Sequence, residues 1–197
     1  MNLEVKNLVK AYGGHVVLNG FSHTFPEGRI TAIEGRSGCG KTTLLRLIAA
    51  LEKPDGGAIA GVPESGIGMV FQEDRLPPQL TAPDCLKAVL KKTPERDGRV
   101  REALTALGLG DALNQPVREF SGGMRRRVAL ARALLFPSPL VLLDEPFKGL
   151  DAATRQAAVD FARPLLAGRT VLLVTHDPGD AEAFDAAVLR MEDGKNK

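Results

Sequence analysis

The chain has 197 residues, of which 44% are hydrophobic and 25% charged, and its formal net charge of +2 is too small to indicate a nucleic-acid-binding protein. The N-terminal residues do not have the pattern of a signal peptide, and no apolar run approaches the roughly 20 residues that cross a bilayer. Two cysteines, Cys39 and Cys85, are too few for a disulfide framework or a metal cluster, so we expect a globular domain in a reducing compartment.

The first third of the chain is predicted to contain strands and one helix. Alternation of apolar and polar residues predicts strands at Leu3–Lys10 and His15–Phe25, and a short strand at Arg29–Glu34 runs into a glycine-rich loop. A helix is predicted over Thr42–Leu51 and ends at the breaker sequence KPDGG. Gly66–Phe71 is predicted as a further core strand.

The remainder is predicted to be an inserted helical lobe followed by alternating strands and helices. The lobe, residues 76–137, is rich in helix and loop signals and in prolines. The elements predicted after it are the strand Leu140–Leu143, the helix Ala152–Leu166, the strand Thr170–Val174, the helix Pro178–Phe184 and the strand Ala187–Met191. This alternation indicates an α/β core with a parallel sheet. We therefore predict one domain over residues 1–197, with its core at 1–75 and 138–197 and a helical subdomain at 76–137.

The sequence GRSGCGKTT fits the phosphate-loop pattern G-x-x-x-x-G-K-[ST] and lies between a predicted strand and a predicted helix. Its glycines allow backbone N–H groups to surround phosphate oxygens, and the helix dipole favours the same anion. Lys41 can reach the β- and γ-phosphates, and the Thr42 hydroxyl can bind Mg²⁺. The candidate nucleotide-binding residues are Gly35, Arg36, Ser37, Gly38, Cys39, Gly40, Lys41, Thr42 and Thr43. Cys39 occupies a variable position and is assigned no chemistry. A glycine-rich turn without ligand is the alternative, which the full pattern disfavours.

Acidic and histidine side chains follow two apolar strands. Asp144 and Glu145 come directly after Leu140–Leu143, where open α/β sheets bind ligands. Asp144 is a candidate Mg²⁺ ligand, and Glu145 is a candidate base that activates the attacking water. His176 follows the next strand and could bind a γ-phosphate. The alternatives are an ordinary helix N-cap for the acidic pair and a surface or capping role for the histidine.

The stretch FSGGMRRRVALARAL resembles the signature motif of ATP-binding cassette (ABC) ATPases, usually written LSGGQ, with Phe120 and Met124 replacing the leucine and the glutamine. Further family motifs follow in the expected order. They are Tyr12 for the aromatic that stacks on adenine, Gln72 for the Q-loop glutamine, Gly149-Leu150-Asp151 for the D-loop and His176 for the switch histidine. The resemblance implies a P-loop NTPase (RecA-like) core with an inserted α-helical subdomain. Because residues 53–66 are compressed relative to the family, we expect a reduced antiparallel β-subdomain.

The resemblance also implies a composite site. Two subunits, expected to be identical, would pack head to tail around ATP, with the phosphate loop of one facing the signature of the other. The signature residues implied in nucleotide binding are Phe120, Ser121, Gly122, Gly123 and Met124, together with Asp151 and Gln72. The implied catalytic residues are Glu145, His176, Lys41 and Gln72, and the implied Mg²⁺ ligands are Thr42, Gln72 and Asp144. Arg125 and Arg126 are expected on a solvated helix face, and Arg127 in a more buried, structural role.

The segment QEDRLP, which begins at the Q-loop glutamine, resembles ATPases of nitrate, sulfonate and taurine importers, although Pro78 replaces a leucine and the chain has no tryptophan. We therefore expect ATP-driven import of a small anion or sulfonate-like solute, with transmembrane permeases and a periplasmic or lipoprotein solute-binding protein as partners. No nucleic acid is expected, and the expected location is the cytoplasmic face of the bacterial inner membrane. A short exporter ATPase of the haem or lipoprotein type and a soluble ABC ATPase remain as alternatives. The presence of Glu145 and His176 argues against a non-hydrolytic regulatory protein.

Overall fold

The computed structural model describes residues 2–192 and the backbone of residues 195–196. The strands are β1 (Leu3–Tyr12), β2 (His15–Phe25), β3 (Ile30–Gly35), β4 (Gly56–Ala60), β5 (Gly68–Val70), β6 (Leu140–Asp144), β7 (Thr170–Val174), β8 (Ala187–Glu192) and β9 (Lys195–Asn196). The helices are α1 (Lys41–Ile48), α2 (Ala82–Lys87), α3 (Arg96–Ala106), α4 (Gly122–Leu135), α5 (Ala152–Leu166) and α6 (Pro178–Ala183), with short 3-10 turns at Gly110–Ala112 and Val117–Glu119. The expected mixed α/β fold class is confirmed.

The chain divides into two compact units. The first unit contains the described residues of Met1–Ile67, Ser138–Asp144 and Gly168–Lys197, and the second contains Gly68–Pro137 and Glu145–Ala167. The predicted boundaries of a helical subdomain at residues 76–137 stay a prediction.

A mainly parallel sheet forms the core of the first unit. Its strands lie in the order β6-β7-β3-β8-β9, and all neighbouring pairs are parallel except β8 with β9. Every residue of β6 and β7 is buried, which explains their unbroken apolar sequences. In the register of the sheet, Asp144 at the end of β6 lies opposite Val174 at the end of β7, while β3 ends at Gly35. The loops that follow these strands therefore leave one edge of the sheet.

A second, antiparallel sheet in the first unit has the order β2-β1-β4. The strand β4 was not predicted, because its sequence GGAIA reads as a continuation of a turn. Its glycines allow the strand to approach β1 closely: Gly57 has φ of 86°, and a Cβ there would overlap the carbonyl oxygen of Asn7. The antiparallel sheet therefore contains one strand more than the sequence indicated.

Helix α4 is the centre of the second unit and contacts β5, α2, α3 and α5. Its apolar residues are almost completely buried, which its alanine-rich sequence permits because small side chains let neighbouring elements approach. Across the part of the chain that the structure describes, no helix is long and apolar enough to cross a membrane.

Candidate nucleotide site

The glycine-rich loop between β3 and α1 has glycines in backbone conformations that other residues rarely adopt. Gly35, Gly38 and Gly40 have φ of 154°, 84° and 103°. A Cβ on Gly35 would overlap the carbonyl oxygen of Met191, and a Cβ on Gly40 would lie 2.8 Å from Cδ2 of Leu18. A Cβ on Gly38 would have no atom of residues 2–192 within 4 Å. Gly35 and Gly40 are thus fixed by the fold, whereas Gly38 lies on the open side of the loop.

Lys41 supports this loop through hydrogen bonds to its backbone. Its Nζ donates hydrogen bonds to the carbonyl oxygens of Gly35 at 2.6 Å and Arg36 at 2.9 Å. Arg36, Ser37 and Gly38 are exposed, whereas Cys39 is buried with its Sγ 3.9 Å from Nζ of Lys41. The loop therefore holds an ammonium group beside three exposed residues, an arrangement suited to an anion.

Thr42 and Asp144 form a polar pair at the end of β6. The Thr42 hydroxyl donates to Oδ2 of Asp144 at 2.8 Å, and Asp144 is only 2% exposed. Burial of a carboxylate is costly without strong polar partners, so this hydroxyl helps to stabilise the charge. Two of the predicted Mg²⁺ ligands therefore lie within hydrogen-bonding distance of each other, and their role in metal binding stays a prediction.

Tyr12 lies at the end of β1 with an exposed ring. Its hydroxyl donates to the carboxylate of Glu52, and Nζ of Lys10 lies 5.3 Å from the ring centroid. Burial of the hydroxyl and the hydrogen bond to Glu52 raise the pKa of Tyr12, while a hydrogen bond with Thr43 lowers it. The aromatic face is therefore anchored beside the first turn of α1. Glu52 was missed at the sequence level because no pattern relates it to Tyr12.

His176 follows β7 and is exposed. Its neighbours are fixed by hydrogen bonds: the Thr175 hydroxyl donates to Oδ2 of Asp180 at 2.6 Å and accepts from the Asp177 amide at 3.1 Å. Since β6 and β7 end side by side, His176 and Asp144 leave the same edge of the first unit's sheet.

Glu145 begins a segment of the second unit with an unusual backbone conformation. Its φ of 53° is in the left-handed region, which costs a non-glycine residue on the order of 1–3 kcal/mol. Its carbonyl oxygen accepts a hydrogen bond from the Lys148 amide at 3.2 Å, which closes a turn. Four other non-glycine residues, Asn7, Ala50, Arg75 and Asp185, share this conformation, so the backbone alone does not single out Glu145. Its catalytic role stays a prediction.

The signature residues form the start of α4 in the second unit. Ser121 is the N-cap, and its Oγ accepts the Met124 amide at 3.2 Å. Gly122 is exposed, and a Cβ there would have no atom within 4 Å among the described residues. A Cβ on Gly123 would lie 3.4 Å from Cδ2 of Leu150, an ordinary contact. Phe120 is only 3% exposed, so its side chain belongs to the core of this unit.

Arg126 is the second of the three arginines after the signature, and the expectation that it lies on a solvated helix face is wrong. Arg126 is 7% exposed and donates to the carbonyl oxygens of Phe71 and Gln72 at 2.6 Å each. Arg127 donates to the carbonyl oxygen of Leu107, in agreement with its expected structural role. Arg126 precedes buried residues of α4 by three, four and seven positions, a helical spacing that could have revealed its burial. Those residues are Ala129, Leu130 and Ala133.

The remaining candidates in the second unit are Gln72 and Asp151. Gln72 is exposed, and its backbone is held by Arg126. Asp151 is the N-cap of α5, where it accepts the Thr154 amide at 3.0 Å and the Thr154 hydroxyl at 2.6 Å. The Thr154 hydroxyl and amide lower the pKa of Asp151. A capping role therefore accounts for this carboxylate within the unit, alongside the predicted D-loop role.

Residues 18–148 match the family model described as ABC transporter. The chain belongs to the ABC transporter family. It is 44% identical over 201 residues to the aliphatic sulfonates import ATP-binding protein SsuB 2 of Agrobacterium fabrum, covering 98% of this chain and 77% of that protein. It is 43% identical over 210 residues to the Fe(3+) ions import ATP-binding protein FbpC of Mesorhizobium japonicum, covering 98% of this chain and 58% of that protein.

The fold is similar to a solved dimeric structure of MJ0796, a bacterial ABC transporter cassette, with a TM-score of 0.86 and 29% identity over 99% of this chain and 96% of that one. Another MJ0796 structure, with the same TM-score of 0.86, is of a post-hydrolysis state bound to ADP and Pi. The expected family, fold class and enzyme class are confirmed: the chain is an ATP-binding subunit of an ABC transporter and an ATPase. The roles of individual site residues stay predictions.

Proposed function

We propose that two copies of this chain bind ATP between them, and that hydrolysis drives import of a small anion or organic sulfonate through membrane permeases. The main support for a site shared by two copies is the exposed N-terminus of α4. Gly122 presents backbone without a side chain at an exposed helix N-terminus, although nothing within its own unit requires glycine there. The similar MJ0796 structure is dimeric, which supports an assembly of two copies.

The first unit supplies the main nucleotide contacts in this proposal. Backbone N–H groups around Gly38 and the N-terminus of α1 would bind phosphate oxygens, with the Lys41 ammonium at their centre. The exposed ring of Tyr12 would stack on adenine and extend the site away from the phosphates.

Thr42 and Asp144 are suitable residues to hold Mg²⁺. Their hydroxyl and carboxylate oxygens lie 2.8 Å apart, and oxygen atoms are the ligands that this ion prefers. Mg²⁺ usually keeps several waters and phosphate oxygens as ligands, so a small number of protein oxygens is enough to hold it. When bound, Mg²⁺ would neutralise charge on the β- and γ-phosphates, and Gln72 remains the third proposed ligand.

Glu145 is the proposed base for hydrolysis. Its carboxylate would accept a proton from the water that attacks the γ-phosphorus, while the bond from that phosphorus to the bridging oxygen of ADP breaks. His176 would hold the γ-phosphate by a hydrogen bond. Lys41 would stabilise the negative charge that develops on the phosphate oxygens.

ATP would stabilise the closed dimer because both halves bind the same γ-phosphate. Ser121, Gly122 and Gly123 of one copy would donate to the phosphate held by the loop of the other, with the positive end of the α4 dipole behind them. Phe120 would fix the start of this motif because its side chain packs in the core. Met124 would hold Ser121 in place through the hydrogen bond from its amide to Oγ of Ser121. Hydrolysis removes the shared ligand and favours opening.

The proposed partners are transmembrane permeases and a periplasmic or lipoprotein solute-binding protein, at the cytoplasmic face of a bacterial inner membrane. The QEDRLP segment and the sulfonate import relative support an organic sulfonate as the solute. Uptake of labelled alkanesulfonate and of ferric iron, measured together with a permease that co-purifies with this chain, distinguishes the two solutes named for the relatives. Export of solute in that assay, or no associated permease, would contradict the importer assignment.

Glu145→Gln tests the catalytic site. We expect this variant to keep ATP binding, to lose about a hundredfold or more of turnover and to accumulate as an ATP-bound dimer in size-exclusion chromatography. Glu102→Gln, an exposed change in the same unit, should behave like the parent protein. If Glu145→Gln hydrolyses ATP at the parental rate, Glu145 is not the base. If the specific activity of the parent protein stays constant on wide dilution, the composite site is contradicted.

A further inference from the structure

The side chain of Arg126 joins the signature helix to the segment that contains Gln72. Its Nη1 and Nη2 donate to the carbonyl oxygens of Phe71 and Gln72, each at 2.6 Å. Its Nε lies 3.3 Å from Oδ1 of Asp74. The residue is 7% exposed, so these contacts form in surroundings from which water is largely excluded.

A second arginine of α4 supports the same segment. Arg132 donates to the carbonyl oxygens of Arg75 at 3.0 Å and Asp74 at 3.4 Å. Arg125 contributes less, with its Nε 3.9 Å from the Asp74 carboxylate. The segment of residues 71–75 is therefore held to α4 at four carbonyl oxygens.

Arg126 differs from its neighbours because it holds the backbone of Gln72 itself. A guanidinium is a planar fork that can bind two adjacent carbonyl oxygens at once, which a lysine ammonium cannot do with the same geometry. Removing such a buried donor also leaves two carbonyl oxygens without a partner. Movement of Gln72 relative to α4 would therefore break two charge-assisted hydrogen bonds together.

We propose that Arg126 is a positioning residue that makes Gln72 and the signature turn Ser121–Gly123 move as one body when ATP binds. The inference rests on the proposed roles of Gln72 and of the signature. It adds a residue that touches neither the nucleotide nor the reacting atoms. Arg126 would affect how α4 is placed when the γ-phosphate is bound. It would not affect the binding of ATP by the first unit.

Arg126→Met tests this role, because methionine keeps much of the apolar stem and removes all donors. We expect unchanged KM for ATP, a kcat reduced roughly tenfold, and a matching loss of the ATP-bound dimer in the Glu145→Gln background. Arg126→Lys, which restores charge without the fork, should recover only part of the loss. Arg101→Met, the same change at an exposed position of α3, should match the parent protein.

Hydrogen–deuterium exchange provides the readout that a merely structural role would not change. In the parent protein, ATP should slow exchange in residues 71–75 and in residues 121–126 together. In Arg126→Met, ATP should protect residues 121–126 less, and the two segments should no longer respond in proportion. Joint protection of both segments in this variant would overturn the proposal.

The outcomes separate this inference from the proposed function. Parental kcat and dimer formation in Arg126→Met, or an equal loss in Arg101→Met, would overturn the role of Arg126 alone. If Arg126→Met does not fold, Arg126→Lys is decisive, and parental kcat in that variant would reject the fork. Equal ATPase rates of the parent and of Lys41→Ala would instead reject the proposed nucleotide site.

Discussion

Helices α1 and α4 both begin at glycine-containing turns, but the two turns are stabilised by different interactions. At α1, Gly35 and Gly40 have left-handed φ values and lie where a Cβ would collide with neighbouring atoms of the first unit. At α4, Gly122 and Gly123 are ordinary helical residues, and Ser121 supplies a side-chain cap. The glycines of α1 are needed by their own unit, whereas those of α4 are not.

The difference indicates two reasons for the same residue type. A glycine that its own fold requires shapes the binding loop, because it allows a backbone conformation that other residues rarely adopt. A glycine that its own fold does not require leaves room for something that approaches from outside. Gly38 combines both reasons, since it has φ of 84° and open space within the described residues around its missing Cβ.

Gly35→Ala should give the largest effect. The new Cβ would overlap the Met191 carbonyl oxygen in a conformation with φ of 154°, so we expect unfolding free energy to fall by about 3 kcal/mol or more in chemical denaturation. Gly38→Ala, which meets no described atom within 4 Å, should lose only about 1 kcal/mol. Similar losses in the two variants would mean that Gly35 is not constrained by β8.

Gly122→Ala should separate function from stability. We expect an unfolding free energy equal to the parent value or higher by about 0.5 kcal/mol, because alanine favours helix. ATPase activity and the ATP-bound dimer should fall roughly tenfold, since a methyl group would hold the phosphate away from the α4 amides. Gly98→Ala in α3, also with no described atom near its Cβ, should show the stabilisation and keep full activity. Full activity of Gly122→Ala would contradict the proposal that this glycine leaves room for the phosphate bound by the other copy.

Tyr12→Ala should have a smaller effect that is confined to the first unit. Loss of stacking is worth about 1 kcal/mol, or roughly a fivefold weaker Kd for ATP. Tyr12→Phe keeps the ring, so it should bind ATP like the parent although it loses the hydrogen bond to Glu52. Equal affinity of Tyr12→Ala, measured by calorimetry, would show that the ring does not stack.

The smallest effect concerns pH and the second unit. Hydrogen bonds from Thr154 hold the pKa of Asp151 below its ordinary value of 3.8. The ionised cap therefore adds stability above that pH, and the added stability is lost as pH falls through the lower folded pKa. Asp151→Asn keeps an N-cap acceptor but cannot titrate, so its unfolding free energy should depend less on pH below about 4. An unchanged acid dependence would mean that the cap does not contribute.

The sequence predicted best those parts of the molecule whose pattern is local. The phosphate loop, the buried strands β6 and β7, and α5 with its start after Asp151 carry short, unambiguous signals. Strand β4 was missed because a run of glycine and alanine has no strand propensity of its own and is specified by its partner β1.

The side-chain contacts that join distant segments could not be predicted in the same way. Arg126 was assigned to solvent because charged residues are rarely buried, and its partners are backbone carbonyl oxygens, which every sequence offers. The hydrogen bond between Tyr12 and Glu52 likewise depends on how β1 and the end of α1 are placed in space. Such partners are determined by the tertiary structure and produce no periodic pattern in the sequence.

The position of Lys41 has a consequence for work with the purified protein. Since its ammonium already rests on the Gly35 and Arg36 carbonyl oxygens, the loop carries a fixed positive centre before nucleotide arrives. Small tetrahedral oxyanions fit such a centre as well as the end of a triphosphate does. Sulfate precipitants and phosphate buffers are therefore expected to compete with ATP, and affinities measured in zwitterionic buffers should be the tighter ones.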